Sequence, residues 1–212
     1  MSGRRFFRAW FILLPLFLLA GCFLPTDFEL RISIQPNGDF EERFRGLLVE
    51  WGPYERWKRG EFSAAEADRR SKETLRAVTM DSEAKPEELR VREESPFHYR
   101  VEYLHKGNVF DEFKKAKRTS SKEDEPEAMS FLVDMFYLRR QANGVFLFER
   151  RKVGRDDIDR FRRLGLEMKG SLTLRVHGKV IGHDAQSVSG PDHRWALRSV
   201  TEPSARMEFR LD

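Results

Sequence analysis

Imidazole and carboxylate side chains that lie close together in the sequence are the first candidates for chemistry. His177, His183 and His193 occur in one stretch with Asp184, and side chains of these types bind zinc. Their spacing matches no compact ligand motif such as His-Glu-x-x-His. The polar residues that turns require explain His183 and Asp184 equally well. We therefore expect neither a metal site nor a cofactor.

Two groups of carboxylates raise the alternative of general acid and base catalysis, as in a hydrolase. They are Glu41-Glu42 and Asp156-Asp157 with Asp159. This chemistry needs two carboxylates held in different environments within a cleft, whereas the second group stands where a helix start favours acidic residues. The sequence contains no Gly-x-Ser-x-Gly elbow, P-loop or Gly-x-Gly-x-x-Gly fingerprint. We expect a non-enzymatic protein without catalytic residues and keep a hydrolase as the less favoured alternative.

The one cysteine, Cys22, closes a segment that has the three parts of an export signal. Three arginines within the first eight residues form a positive start, residues 9–20 are apolar except for Pro15, and small residues precede Cys22. The apolar run is shorter than the roughly 18 to 20 residues of a membrane-spanning helix, and Pro15 makes it a poor permanent helix. The sequence therefore predicts a cleaved signal over residues 1–21.

The four residues Leu19, Ala20, Gly21 and Cys22 resemble the lipobox of bacterial lipoproteins. This resemblance implies that the lipoprotein signal peptidase recognises Leu19, Ala20 and Gly21. It also implies that Cys22 carries a thioether-linked diacylglycerol, often with a further acyl chain such as palmitate on its amino group. Two or three long chains hold a protein stably on a membrane, so membrane lipid is the first expected partner. Phe23 stands where aspartate would favour the inner membrane, and the outer membrane is therefore expected if the source has two.

Composition excludes several other classes of protein. Once Cys22 is lipidated no thiol remains, which excludes disulfides, thiolate–metal sites and a cysteine nucleophile. The chain has a net charge of +4, but three of its 39 basic residues lie in the leader, which leaves 36 against 35 acidic residues. Because the remainder is nearly balanced, we expect no nucleic-acid partner.

The strongest local charge bias after Cys22 is a basic cluster. Its members are Arg150, Arg151, Lys152, Arg155, Arg160, Arg162 and Arg163. Turned toward a bilayer, they would contact anionic headgroups at about 1 kcal/mol per charge. Acidic residues are interleaved with them, so an ordinary solvated face is the alternative and the more common arrangement.

Aromatic side chains suggest a further alternative, a lipid or glycolipid pocket within a curved sheet. The rings concerned are Phe131, Phe136, Tyr137, Phe146, Phe148 and Trp195. We favour the interpretation that these rings fill the core between a sheet and its helices.

Alternation of apolar and polar residues predicts strands along much of the chain. Residues 28–34 alternate cleanly, Pro36-Asn37-Gly38 turns the chain, and Phe40 and Phe44 continue a returning strand. Further strands are predicted over 89–92, 97–104, 129–140, 145–152 and 172–176, and over 180–181, 193–197 and 207–211 as a closing meander. Asn143-Gly144 is the predicted turn between the strands over 129–140 and 145–152.

Helix signals are fewer than strand signals. Ser63 and Glu66 form a capping box that predicts a helix over about 64–80. Short helices are predicted after Gly107 and from Asp156 to Gly165, a break at Gly52-Pro53, and a mobile loop over 119–127. We expect an α+β fold, mostly an antiparallel sheet built from hairpins with one to three helices packed on it. Its divisions are a signal peptide (1–21), a lipidated terminus with a short spacer (22–26) and one extracytoplasmic domain (27–212).

Two segments resemble LppM-type envelope lipoproteins. Gly170 to Trp195 (GSLTLRVHGKVIGHDAQSVSGPDHRW) is similar to the closing part of that domain, in which a strand, a Gly turn and a Trp-bearing strand follow one another. The start, CFLPTDFELRISIQPNGDF, also looks like that group. His183-Asp184 stands where the family tends to carry Asn. The resemblance implies a membrane-tethered, mostly β domain without established catalytic residues.

These observations together predict a membrane-anchored lipoprotein of the cell envelope that faces away from the cytoplasm. Its domain is expected to act as an interaction or structural module, with another envelope protein as a further partner. A lipid-binding or glycolipid-binding module is the alternative.

Overall fold

A computed structural model of the chain describes residues 23–80, 88–119, 128–131, 135–141, 143–202 and 204–211. Over these residues, twelve strands form two sheets and four helices pack on them. The predicted α+β class is therefore confirmed, with two sheets rather than one and four helices rather than one to three. The predicted loop over 119–127 lies, except for Thr119, outside the described residues.

The larger sheet has seven strands. They are β1 (Phe23–Ile34), β2 (Asp39–Glu50), β3 (Leu89–Ser95), β4 (His98–Asn108), β8 (Gly170–Val176), β10 (Ser187–Ser189) and β11 (Asp192–Leu197). Their order across the sheet is β10-β11-β8-β1-β2-β4-β3. Neighbouring strands are antiparallel except β1 and β8, which are parallel.

The smaller sheet has five antiparallel strands. They are β5 (Ala128–Phe131), β6 (Phe136–Arg140), β7 (Phe146–Arg150), β9 (Lys179–His183) and β12 (Met207–Arg210), in the order β5-β6-β7-β12-β9. The predicted closing meander is wrong, because β9 pairs with β12 in this sheet whereas β8 and β11 pair in the larger one. Alternation marks the buried face of a strand but not its partner.

The hairpin of β1 and β2 has the predicted turn. The Gln35 N–H donates to the Asp39 carbonyl at 2.8 Å, and Gly38 has a φ of +86°, which favours glycine. However, β1 begins at Phe23, so residues 23–26 of the predicted spacer segment pair with the end of β2. Phe23 and Leu24 are buried, which explains why this segment is a strand.

Four helices accompany the sheets. They are α1 (Trp51–Lys58), α2 (Ala64–Met80), α3 (Val109–Thr119) and α4 (Arg155–Arg163). The predicted start of α2 is confirmed, because the Ser63 Oγ accepts a hydrogen bond from the Glu66 N–H at 3.2 Å. The predicted break at Gly52-Pro53 is wrong, since α1 begins at Trp51 and holds Pro53 in its first turn, where a proline is tolerated.

The core lies between the two sheets and is rich in aromatic rings. Phe40 of β2 meets Phe131 of β5 edge to face, with centroids 5.7 Å apart. Phe146 and Phe209 stack at 5.5 Å and join β7 to β12. The other face of the larger sheet carries polar residues in alternation with the buried ones. That polar face is therefore available for contacts outside the fold.

Candidate functional site

Helix α1 lies at the end of the larger sheet where β1 begins. Phe23, the first residue of β1, pairs with Glu50, the last residue of β2. Helix α1 starts at the next residue, Trp51. Because Phe23 follows the predicted lipid-bearing Cys22, α1 is the helix that adjoins the proposed attachment point.

Helix α4 packs against α1 at this end of the sheet. The rings of Trp51 and Phe161 meet edge to face at 5.5 Å. Arg160 lies 5.1 Å above the Trp51 ring, and its Nε is 3.3 Å from the Glu55 Oε2. We name the surface formed by α1, by Arg59 directly after it, and by α4 the helix-pair surface.

The helix-pair surface combines partly exposed aromatic rings with cations. Trp51 and Trp57 are half-buried, and Lys58 and Arg59 are exposed. The Lys58 Nζ lies 5.4 Å from the Tyr54 ring centroid. Sequence reasoning misses this surface because the pair Gly52-Pro53 predicts a break in regular structure. The density of Trp and Tyr between residues 51 and 57 was the available signal.

The structure divides the predicted basic cluster. Arg150 is only 7% exposed, and its Nη1 donates to the Ser199 carbonyl at 3.0 Å. Burial lowers the pKa of Arg150 below its usual range. Its predicted contact with headgroups is therefore wrong: β7 directs this side chain inward, where the carbonyl of a later loop satisfies it.

The other members of the predicted cluster lie at or near the surface. Arg160 is half-buried against α1, and the exposed members are Arg151, Lys152, Arg155, Arg162 and Arg163. Arg162 pairs with Asp159 at 3.0 Å. Asp156 is in the first turn of α4 but does not cap it, because the N-cap position is Gly154. The interleaved acids thus offset part of the basic charge.

A buried polar network connects α2 to the end of the sheet beside α1. The Tyr99 hydroxyl lies 3.2 Å from the Glu50 Oε2, and the Ser71 Oγ donates to Tyr99 at 3.1 Å. The Ser71 Oγ also accepts the Phe97 N–H at 2.8 Å. Burial raises the pKa of the Glu50 carboxyl, and burial also raises the pKa of Tyr99. This buried network joins α2 to β2 and β4.

The histidines and the aspartate of the metal hypothesis are only partly brought together. The His183 and His193 rings meet at 4.7 Å. Asp184, however, accepts hydrogen bonds from the Trp195 indole at 2.7 Å, from the Arg206 N–H at 2.7 Å and from the Ser204 hydroxyl. Among the described residues, no three His, Cys, Asp or Glu side chains converge as a metal site would need. Asp184 thus has a structural role that its position in a turn did not indicate.

The paired carboxylates Glu41 and Glu42 point to opposite faces of β2. Glu42 is 3% exposed, with the Tyr103 hydroxyl as a hydrogen-bond donor and the His105 Nδ1 3.4 Å away. The bond to Glu42 raises the pKa of His105. Glu41 pairs instead with Arg43 on the outer face at 2.5 Å. Adjacent residues of a strand do not share a cleft, so this pair lacks the geometry of two cooperating carboxylates.

The rings of the predicted lipid pocket pack on one another. Phe148 contacts Phe131 at 6.1 Å and stacks on Phe136 at 5.7 Å. Phe146 and Trp195 are also buried, whereas Tyr137 is half-buried. This is the arrangement of a filled core. The packing of these rings therefore does not support the alternative of a lipid pocket that they line.

The predicted lipidation residues, Leu19 to Cys22, lie outside the described residues. Within the described parts of the chain, none of the helices combines the length and apolar character needed to cross a membrane.

Comparisons with known proteins find a similarity at the level of solved structures. No protein-family profile and no curated protein matches the sequence. Among solved structures, the chain is similar to the NMR structure of the folded domain of the Mycobacterium tuberculosis LppM protein, with 12% identity and a TM-score of 0.43. The match covers 89% of this chain and 92% of that chain. At this score the likeness carries no argument about function.

Proposed function

We propose that the chain is a lipoprotein of the bacterial cell envelope whose folded domain is a non-enzymatic interaction module. Residues 1–21 are removed during export, and a diacylglyceryl thioether on Cys22 holds the domain on a membrane. The helix-pair surface then rests against the lipid headgroups.

The start of β1 at Phe23 is the observation that carries this proposal. One residue spans at most about 3.6 Å, and Phe23 is fixed by its pairing with Glu50. An acyl anchor on Cys22 therefore attaches directly to one end of the sheet, with no flexible stalk between them. Such an attachment brings the helix-pair surface close to the bilayer.

The chemistry of the helix-pair surface suits that position. Tryptophan and tyrosine are favoured at the headgroup level of membranes, and cations there gain about 1 kcal/mol each from anionic lipids. From Trp51 to Glu61 and over α4, seven basic residues stand against five acidic ones. This small excess supports orientation of the domain, while the acyl chains supply the affinity.

The proposed module acts on a partner outside the membrane, either another envelope protein or a molecule of the surrounding space. Attachment by one end leaves the outer face of the larger sheet open to such contacts. The outer membrane is the proposed location if the source has two membranes.

Exchange of Cys22 tests the proposal. In cells fed labelled palmitate, the parent chain and the matched control Gly21→Ala, which keeps a small residue before the cysteine, are expected to carry label and to fractionate with membranes. Cys22→Ser is expected to lose the label and to keep its leader. Equal membrane fractionation of Cys22→Ser and the parent, with no label in either, would show that the proposal is wrong.

A further inference from the structure

The outer face of the larger sheet carries a row of arginines that strand pairing assembles from three strands. Arg31 of β1 stands directly opposite Arg43 of β2. On its other side Arg31 adjoins Thr173 of β8, and Thr173 stands opposite Arg194 of β11. Because neighbouring strands are about 4.8 Å apart, these four residues span about 14 Å across the sheet. We name Arg43, Arg31, Thr173 and Arg194 the arginine row.

The arginine row lies in an open depression of about 420 Å³. The remaining lining residues are Glu29, Ile32, Ser33, Glu41, Ser171, Arg175 and Asp192. Three carboxylates also line the depression, and each pairs with an arginine: Glu29 with Arg31 and Glu41 with Arg43, both at 2.5 Å, and Asp192 with Arg175 at 2.6 Å and with Arg194 at 3.4 Å. The depression is therefore lined mainly by hydrogen-bonding groups, and its four arginines outnumber its three carboxylates.

Fold stability does not explain the opposition of Arg31 and Arg43. Like charges directly opposite each other on antiparallel strands are destabilising. Their pairs with Glu29 and Glu41 run along each strand, and pairs this exposed contribute little, since the two arginine side chains are 65% and 60% exposed. A bound anion between the two guanidinium groups would offset their repulsion.

We propose that the arginine row binds a linear, phosphate-bearing polyanion that lies across the strands. A phosphate group presents more acceptor oxygens than a carboxylate, so it can accept from two opposed guanidinium forks at once. Arg31 and Arg43 hold one such group. Arg194, about 10 Å from Arg31 across two strand spacings, holds another, and the Thr173 hydroxyl donates between them.

The depression favours a single dissolved chain over a membrane as the occupant. A bilayer presents a flat, continuous layer of headgroups, whereas the arginine row lies within a depression of the sheet. A linear chain fits into this depression along the row. Hydrogen bonds from Arg43 and Arg175 hold the pKa values of Glu41 and Asp192 below their usual range, so these carboxylates stay charged at neutral pH.

Calorimetric titration of the full chain in detergent with short-chain inorganic polyphosphate tests the inference. Saturable binding is expected, and Arg31→Gln and Arg43→Gln should each weaken it about tenfold, which corresponds to about 1.4 kcal/mol. The matched control Arg69→Gln removes the same charge from a similarly exposed, ion-paired arginine of α2 and should leave the affinity within about twofold. Arg31→Lys, which keeps the charge but not the fork, should fall between the parent and Arg31→Gln.

Several results would overturn the inference. These are an absence of saturable binding, an equal loss for Arg69→Gln and Arg31→Gln, and inorganic phosphate binding as tightly as polyphosphate. Competition by phosphatidylglycerol, added as mixed micelles with the same detergent, that is lost in Arg31→Gln would assign the row to lipid headgroups instead. Thermal unfolding midpoints of the variants that match the parent confirm that each loss of binding arises at the row.

Discussion

Arginine occurs in two different settings at the two surfaces of this molecule. At the helix-pair surface Arg160 lies over the Trp51 ring and beside Glu55. In the arginine row Arg31 and Arg43 stand among hydroxyls and carboxylates on an open sheet. Cations beside partly exposed rings suit a boundary between water and lipid, whereas opposed guanidinium groups suit a phosphate in water. Both surfaces carry positive charge. They therefore differ in the side chains that surround their arginines, not in the sign of the charge.

The carboxylates near the two surfaces also differ. Burial raises the pKa of Glu50, which precedes α1, whereas arginine partners lower the pKa values of Glu41 and Asp192 beside the row. The fold therefore disfavours the charged form of Glu50 at one end of the sheet. On the open face, neighbouring arginines stabilise the charged forms of Glu41 and Asp192.

The largest expected effect is a loss of binding to lipid vesicles when charges are removed from the helix-pair surface. In a chain that starts at Phe23, neutralising Arg155, Arg162 and Arg163 to Gln should cost about 3 kcal/mol of binding to phosphatidylglycerol vesicles, a loss of about a hundredfold. Vesicle sedimentation measures it.

The matched control for this change removes the same number of charges from the row, as Arg31→Gln, Arg43→Gln and Arg194→Gln together. Vesicle binding should stay near the parent's. If the two triple variants lose vesicle binding equally, the distinction between the surfaces reduces to net charge.

The next effect concerns the β1–β8 pairing that places Thr173 beside Arg31. A methyl group on Gly170 would lie 2.5 Å from the Phe28 carbonyl oxygen, so Gly170→Ala should destabilise the fold by about 1–3 kcal/mol. Urea unfolding measures the change. Gly182→Ala is the control, since a methyl group there meets no atom within 4 Å. Equal stabilities of the two variants would contradict the close approach at Gly170.

The smallest expected effect is on the pH dependence of the free energy of unfolding. Glu50 and Glu61 should contribute to it with opposite signs. Because the folded state raises the pKa of Glu50, its stabilising contribution is full below the ordinary glutamate value of about 4.3 and is lost as pH rises through the folded value. The free-energy advantage of Glu50→Gln over the parent should therefore grow with pH.

Glu61 provides the matched control, because Arg56 and Arg59 lower its pKa. Its contribution is present above the ordinary pKa and is lost as pH falls, so Glu61→Gln should approach the parent at low pH. Urea unfolding of the three chains from about pH 2 to pH 8 measures both trends. An advantage of Glu50→Gln that shrinks as pH rises would contradict the burial argument.

Local patterns explain what the sequence predicted correctly. The alternation of residues 28–34 identified the buried face of β1, and Ser63 with Glu66 identified the start of α2. Both signals depend on residues within a few positions of each other, which the chain fixes before tertiary structure forms.

Partners distant in sequence explain what the sequence did not predict. The opposition of Arg31 and Arg43 depends on strand register, and the position of Arg194 depends on a strand about 160 residues later in the chain. The burial of Arg150 depends on the carbonyl of Ser199. A run of basic residues shows charge but not direction, so the cluster over residues 150–163 did not reveal that its first member points inward.

One measurement tests directly that the helix-pair surface faces lipid while the arginine row faces water. Since Cys22 is the chain's one cysteine and its sulfur is lipidated in this account, Lys58→Cys and Lys106→Cys each introduce a single free thiol for a nitroxide label. In phosphatidylglycerol vesicles, the label at 58 should collide mainly with oxygen dissolved in lipid, and the label at 106, beside Glu41, with a water-soluble relaxant. Equal exposure of both labels to water, or a lipid-exposed label at 106, would contradict the account.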